Sequence, residues 1–384
     1  MRALHIDDLR PGFVLGQALV DDQGQVLLHQ GVRLTQPYIE SLRAKGYTQL
    51  FIQDDDDVGV DIEEDLTPVV RARATRTLRA AFQDVAKELD SLRGKTSEDM
   101  IQVLSSDTVR VLAGPGGPLD QIYDLVSQIL DEVLTQSTLA GLTSLKSADA
   151  RLYEHSIDVC VVAMMIANAI HLPNTRMRQL ATGCLLHDIG MVFVDPRQKE
   201  SRRIRNHTIL GYELLRHSDE PDILSPHVAY EHHERQDGTG LPRYLVGSNR
   251  IPRIRRGDSP VPSLIGEIAA VANAYDNLLS GTRDRGPVAP DVALGEIGDL
   301  AGAHFNQEIV TAFRRVVPVY PKGTRVVLHG EPFNNFLAVV SEVNPSDLAR
   351  PTVTLVRDGR RKRVRPNEVN TQNYANVTLR IVGL

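Results

Sequence analysis

Half of the 12 histidines in this 384-residue chain, His187, His207, His217, His227, His232 and His233, fall between positions 187 and 233, where even spacing would put one or two. Buried imidazoles need polar partners. The fold must therefore either spread this concentration over its surface or gather it around a common chemical centre. The surrounding pattern is helical. Segments near 152–170, 176–188, 203–217, 221–234, 261–280, 288–301 and 304–316 carry apolar residues at helical spacing, separated by Pro, Gly or polar breaks.

The flanks read differently. Residues 1–52 suggest a small α+β module. Phe13–Leu15 and Val26–Leu28 flank an Asp-Asp-Gln-Gly turn at 21–24, which predicts a hairpin. Thr35 is placed to cap a helix with Pro37 in its first turn, and a strand over Gln49–Ile52 follows. An acidic stretch makes 53–67 a solvated linker. Residues 68–148 form a helical connecting region. Leu78, Phe82, Val85, Leu89 and Leu92 step by four and three along one helix face. Such a stripe packs on the chain's own helices or seats a second copy through a helix over 70–92. Gly114–Pro118 breaks the chain, and Ile122, Val126, Ile129 and Val133 mark the next amphipathic helix. Alternation returns only after Pro321, so 322–384 is a small β-rich module. Its Arg360–Arg365 run reads as a charged hairpin face after an Asp358-Gly359 turn.

Composition narrows the classes. Length alone suggests two or three domains. Trp is absent and aromatics make up 5%, so Leu, Val, Ile and Ala must fill the cores. A net charge of -6 gives no global attraction to a nucleic-acid polymer. The run Val159–Ala167 is about half of the ~20 residues a bilayer span needs. Without an apolar leader at the N-terminus, and with Cys160 and Cys184 in apolar surroundings, the expectation is a cytoplasmic protein. No Lys-Ser/Thr follows the Gly-rich stretch and Gly-x-Ser-x-Gly is missing, so neither a phosphate loop nor a serine hydrolase is supported.

Within the helical middle, a neutral imidazole next to a carboxylate that can bridge two cations, as in His187-Asp188, suits an intermediate divalent metal. His232 and His233, as neighbours on a helix, would point about 100° apart and serve two adjacent metals. The ordered set His155 … His187-Asp188-Ile-Gly … His207-x-x-x-Gly-Tyr-Glu … His232-His233-Glu-Arg-Gln-Asp-Gly-Thr-Gly-Leu-Pro resembles the HD-GYP family, a branch of the HD-domain phosphohydrolases that hydrolyses cyclic di-GMP. The resemblance spans about 149–317 and implies a mainly α protein: an all-α HD core carrying the α+β and β-rich modules.

It further implies that His155, His187, Asp188, His207, His232, His233 and Asn273 hold two divalent transition metals, with iron or manganese favoured over zinc or nickel. Asp188, with His187, would be catalytic as the bridging carboxylate. A hydroxide held between the cations would attack phosphorus in line. Arg235, Arg283 and Arg285 would contact substrate, and cyclic di-GMP and signalling proteins would be partners.

Departures accompany the matches. Met191 stands where the family has Lys, Leu241 where it has the Tyr of Gly-Tyr-Pro, and Asn273 where it has an Asp ligand. Arg151 occupies the position of a third-metal Glu, which favours a dinuclear centre. Loss of one cationic donor typically lowers rate by about 10²–10³. The resemblance thus implies a weakened phosphodiesterase, or alternatively a cyclic di-GMP receptor or protein-interaction module. The segment 247–260, with Arg250, Arg253, Arg255 and Arg256, is expected near the site mouth. Asp276 is expected to have a structural role.

Overall fold

The computed structural model describes residues 2–382 apart from 21–24, 46, 48, 54–59, 61–63, 93–94, 105–111, 113–115, 140–149, 217–223, 252–259 and 283–284. Mainly α as expected, it has helices in the middle of the chain and sheets at both ends. The predicted turn at 21–24, most of the acidic linker, His217, Arg283 and the arginines at 253, 255 and 256 lie outside the described residues.

In the first module, Thr35 caps α1 (Gln36–Ala44), its side chain accepting from the Tyr38 amide with Pro in the first turn. Strands β1 (Arg2–His5), β5 (Gln49–Gln53) and β2 (Val14–Leu15) form an antiparallel sheet in the order β1-β5-β2. The predicted hairpin is corrected in one respect. The partner of β4 (Val26–Leu28) is β3 (Leu19–Val20), because Val14 and Leu15 pair with β5 instead. Leu15, Leu34, Leu50 and Ile52 are buried together there, and pairing Leu15 with the central strand β5 serves that core better than a long two-stranded ribbon.

Helices α2 (Pro68–Glu88), α3 (Ser97–Leu104) and α4 (Asp120–Val133) precede the histidine-bearing helices. These are α5 (Arg151–Ala169), α6 (Asn174–Leu186), α7 (Glu200–Leu215), α8 (Ser225–Glu231), α9 (Leu264–Ser280), α10 (Pro290–Asp299) and α11 (Gln307–Phe313). The stripe Leu78, Phe82, Val85, Leu89 and Leu92 is buried in the same apolar cluster as α4, α5 and α6. A homodimer seam through 70–92 is therefore corrected: the face is already covered by the chain's own helices. Helix α5 is the hub, buried continuously from Ser156 to Ala167. That accounts for its apolar run, and no described helix is long and apolar enough to cross a membrane.

One polar exception ties α2 to this hub. Arg71 donates to Asp158 at 2.8 Å, with the carboxylate fully buried and the guanidinium nearly so. Removing one partner of a buried pair strands the other, at a cost of about 3–5 kcal/mol. Arg71→Met is expected to lose that much in urea unfolding, and Arg71→Met/Asp158→Leu to recover most of it.

The last module is a five-stranded antiparallel sheet. Its order is β10-β6-β7-β8-β9, formed by β6 (Arg325–His329), β7 (Phe336–Glu342), β8 (Thr352–Arg357), β9 (Glu368–Asn370) and β10 (Thr378–Ile381). Val326, Leu328, Val340 and Val353 belong to its separate core. The predicted charged turn follows β8. The Arg361 amide donates to the Asp358 carbonyl, and residues 360–363 and Arg365 are exposed.

Candidate metal centre

Four helices deliver the site. His155 lies in the first turns of α5, His187 closes α6 and His207 sits in the middle of α7. His232 closes α8, with His233 next in the chain. Small residues permit the approach. A Cβ on Gly190, in the tight turn Ile189–Phe193, would come 2.0 Å from the His207 carbonyl oxygen. A Cβ on Gly183 would come 2.4 Å from Val228, where α6 meets α8.

Each ring is anchored through one nitrogen. His187 Nδ1 lies 2.7 Å from the Cys184 carbonyl, His207 Nδ1 2.9 Å from that of Arg203, and His232 Nδ1 3.0 Å from that of Val228. A carbonyl only accepts, so each Nδ1 carries the proton and each Nε2 presents a lone pair. His155 Nδ1 is 2.6 Å from Asp276 Oδ2. Outer contacts of this kind fix tautomer and ring orientation in metal sites.

The free Nε2 atoms converge on Asp188, and its two oxygens divide them. Oδ2 is 3.5 Å from His187 Nε2 and 4.0 Å from His155 Nε2. Oδ1 is 3.3 Å from His207 Nε2 and 3.8 Å from His232 Nε2. Two ligand groups result, His155/His187/Asp188 and His207/His232/His233, each with its donor atoms within 4.8 Å of one another. His207 and His232 bring their Nε2 atoms to 3.2 Å. With both Nδ1 positions protonated, two lone pairs face each other there, an arrangement a cation relieves. His187 Nε2 is buried with no hydrogen-bond partner among the described residues. These donors fit divalent metal ions of intermediate softness.

Electrostatics keep the donors in their ligating forms. Burial lowers the proton affinity of His187 and His207 and holds His232 well below the usual imidazole range. His233 is pushed down to about 3, by burial first and then by His207. Burial alone would raise the Asp188 carboxyl, but His187, His207, His232 and His155 together hold it well below the usual carboxylate range. The sign for stability follows. Between about pH 6.5 and 3 the unfolded chain binds protons that the folded site refuses, so stability falls as pH drops through that window. The urea midpoint of metal-stripped protein is expected to decline from pH 7 to 4, with a shallower slope in His233→Gln.

The neighbouring histidines correct the helical argument made for them. Helix α8 ends at Glu231, so His233 is not on a helix face 100° from His232. Their ring centroids are 4.3 Å apart and both residues group with His207.

The remaining expected residues lie as follows. Asn273 is buried on α9, one turn before Asp276, and its Oδ1 accepts from Asn277 Nδ2 at 2.8 Å. Arg235 is engaged by Asp237 at 3.0 Å and by His304. Arg285 is tied to Glu296 of α10 by two bonds of 2.7 and 2.5 Å on the exposed surface. Arg151 caps the end of α9, donating to the carbonyls of Ser280 and Gly281. Leu241 folds back beside the site, its amide donating to the His233 carbonyl at 3.0 Å. In the described part of 247–260, Arg250 pairs with Glu308 and the Ile251 amide donates to the same carboxylate.

Two roles escaped the sequence. Two acids at the His-His-Glu-Arg string are loop staples: Glu231, just before it, accepts from the Ser263 amide and Arg243, and Glu234, within it, from the Arg243 and Leu245 amides. His227, without a chemical role in the sequence, lies 3.2 Å from Glu231.

A family model described as the HD domain matches residues 152–278. The chain is 27% identical over 368 residues to a Pseudomonas aeruginosa protein named cyclic di-GMP phosphodiesterase PA4108, covering 91% of this chain and 83% of that protein. It is 27% identical over 178 residues to a cyclic di-GMP phosphodiesterase of Thermotoga maritima, covering 44% and 45% of the two chains. Among solved structures, it is similar to Bd1817, an HDG"Y"P protein from Bdellovibrio bacteriovorus. That likeness has a TM-score of 0.45 and 14% identity, over 82% of this chain and 98% of that one.

Proposed function

Because the chain belongs to the HD-GYP family of HD-domain proteins, we propose that it is a metal-dependent phosphodiesterase that hydrolyses cyclic di-GMP to pGpG, GMP or both. One observation carries the reading: the two oxygens of Asp188 are shared between two groups of lone-pair imidazoles. In this reading His155, His187 and Asp188 hold one divalent ion, and His207, His232 and His233 the other. Asp188 would serve both ions, and Asn273, buried on α9, would be a neutral donor where the family has a carboxylate. The mixture of imidazole and carboxylate favours iron or manganese, with zinc and nickel next. When bound, the ions supply Lewis acidity at the phosphoryl oxygens and acidify the attacking water.

The chain's own contribution is to present those ligands deprotonated and oriented. Asp276 holds the His155 ring through Nδ1, and backbone carbonyls hold three others. The arginines named from the resemblance are less available than expected. Arg235 and Arg285 have acidic partners, and a dinucleotide would have to draw them away from Asp237 and Glu296.

The test is chromatographic. Protein loaded in turn with iron, manganese, zinc and nickel is incubated with cyclic di-GMP, and pGpG and GMP are followed. Turnover with at least one metal is expected. Binding without turnover for all four, at full metal occupancy, would replace this reading with that of a nucleotide receptor.

A further inference from the structure

A phosphodiester approaching this centre carries a negative charge that two cations on one side leave partly exposed on the other. Recognition of such an anion calls for a guanidinium or ammonium within reach of the same pocket. Several arginines around the centre are already committed: Arg216 to Glu213, Arg235 to Asp237, Arg243 to Glu231 and Arg285 to Glu296. Arg203 differs. It is partly buried, and among the described residues no carboxylate lies within ion-pair distance of it.

Its position is set by α7. Arg203 precedes His207 by four residues, so the two share a helix face, and side chains on a helix lean towards its N-terminus. The His207 ring is anchored to the carbonyl of Arg203 itself, at 2.9 Å. The neighbouring wall is the turn Ile189–Phe193, pressed onto α7 where Gly190 meets the His207 carbonyl. That turn contributes Met191, Val192 and Phe193, all partly buried, and none has a side chain that can donate to phosphate. After burial, the charge of Arg203 is one of the influences that depress the proton affinity of His207.

Resting on the phosphodiesterase reading, we propose that Arg203 binds a non-bridging oxygen of the scissile phosphodiester. A guanidinium offers a planar fork of donors to that oxygen and stays charged at any working pH. The role is binding and charge neutralisation. No bond to Arg203 forms or breaks.

Binding of inorganic phosphate to metal-loaded protein, metal content and cyclic di-GMP turnover are to be measured for wild type, Arg203→Met, Arg203→Lys, Arg202→Met and Arg203→Met/Met191→Lys. Arg202 is exposed on a different face of the same helix turn. Arg203→Met is expected to weaken phosphate binding about tenfold and to lower turnover by about 10²–10³ at unchanged metal content. Arg203→Lys should stay within about tenfold of wild type, and Arg202→Met should match it. Lysine at 191 should restore at least part of both losses, because it returns a cation to the same wall.

Wild-type phosphate affinity in Arg203→Met would overturn the proposal. So would loss of metal in Arg203→Met together with failure of Arg203→Lys to restore phosphate binding, since Arg203 would then only support His207. If the wild type itself turns over no cyclic di-GMP, the parent reading fails, and the phosphate arm still decides whether Arg203 is an anion site.

Discussion

Asp188→Ala is expected to empty the centre of at least one metal and to lower phosphodiesterase turnover by on the order of 10³-fold or more. Asp188 is the carboxylate facing both imidazole groups, with contacts of 3.3 to 4.0 Å to four rings. Without it, each group keeps neutral nitrogen donors but loses the anion that offsets two adjacent dications. Elemental analysis after dialysis against a weak chelator checks the stoichiometry. Asp188→Asn separates charge from shape, because it keeps an oxygen in place and removes the negative charge. It should lose metal nearly as completely. Unfolding of the metal-free variants supplies the control. Four imidazoles hold Asp188 ionised even without metal, so the metal-free alanine variant should still unfold cooperatively, at a lower urea midpoint than the metal-free parent. Two tightly bound metals in Asp188→Ala would remove the bridging role.

The second large effect lies in a backbone contact. Gly190→Ala places a methyl 2.0 Å from the His207 carbonyl oxygen and 2.7 Å from the Gly211 amide nitrogen. Backbone cannot rotate aside, so the turn carrying Asp188 and the helix carrying His207 must separate. Overpacking of this kind costs about 1–3 kcal/mol, and here it also pulls apart two ligands. A lowered urea midpoint and substoichiometric metal are expected together. Gly211→Ala is the matched comparison. Its nearest neighbours are 3.4 and 3.5 Å away, and alanine is the better helix former, so it should be neutral or mildly stabilising. Equal destabilisation by the two would show that the Gly190 contact is not what holds the turn against α7.

These expectations show where sequence reading stopped. The helices around the centre were legible because their apolar period and their Pro and Gly breaks are local, and Thr35 capped α1 as read. The pairing of β4 with β3 was not, since strand choice depends on which neighbour completes a core. The apolar stripe of α2 announced burial without naming its partner, and α4, α5 and α6 supply it. Arg235 and Arg285 looked like anion binders by position. Asp237 and Glu296, two and eleven residues further on, hold them. Arg203 carried a readable signal, four residues before His207, yet a spacing cannot say that it is the partly buried arginine of its cluster, with Arg202 and Arg205 exposed.

The sequence by itself determined the kind of chemistry. An excess of imidazole in a stretch of helices, with one aspartate beside His187, calls for a common polar centre, and the order of its motifs points to a family. Tertiary structure alone decided how that centre is divided. Which Nε2 faces which oxygen of Asp188 depends on carbonyls that claim each Nδ1 and on glycines that let α7 and the Asp188 turn touch. Distances of 3 to 4 Å between residues from four helices are set by packing, and packing is a property of the folded whole.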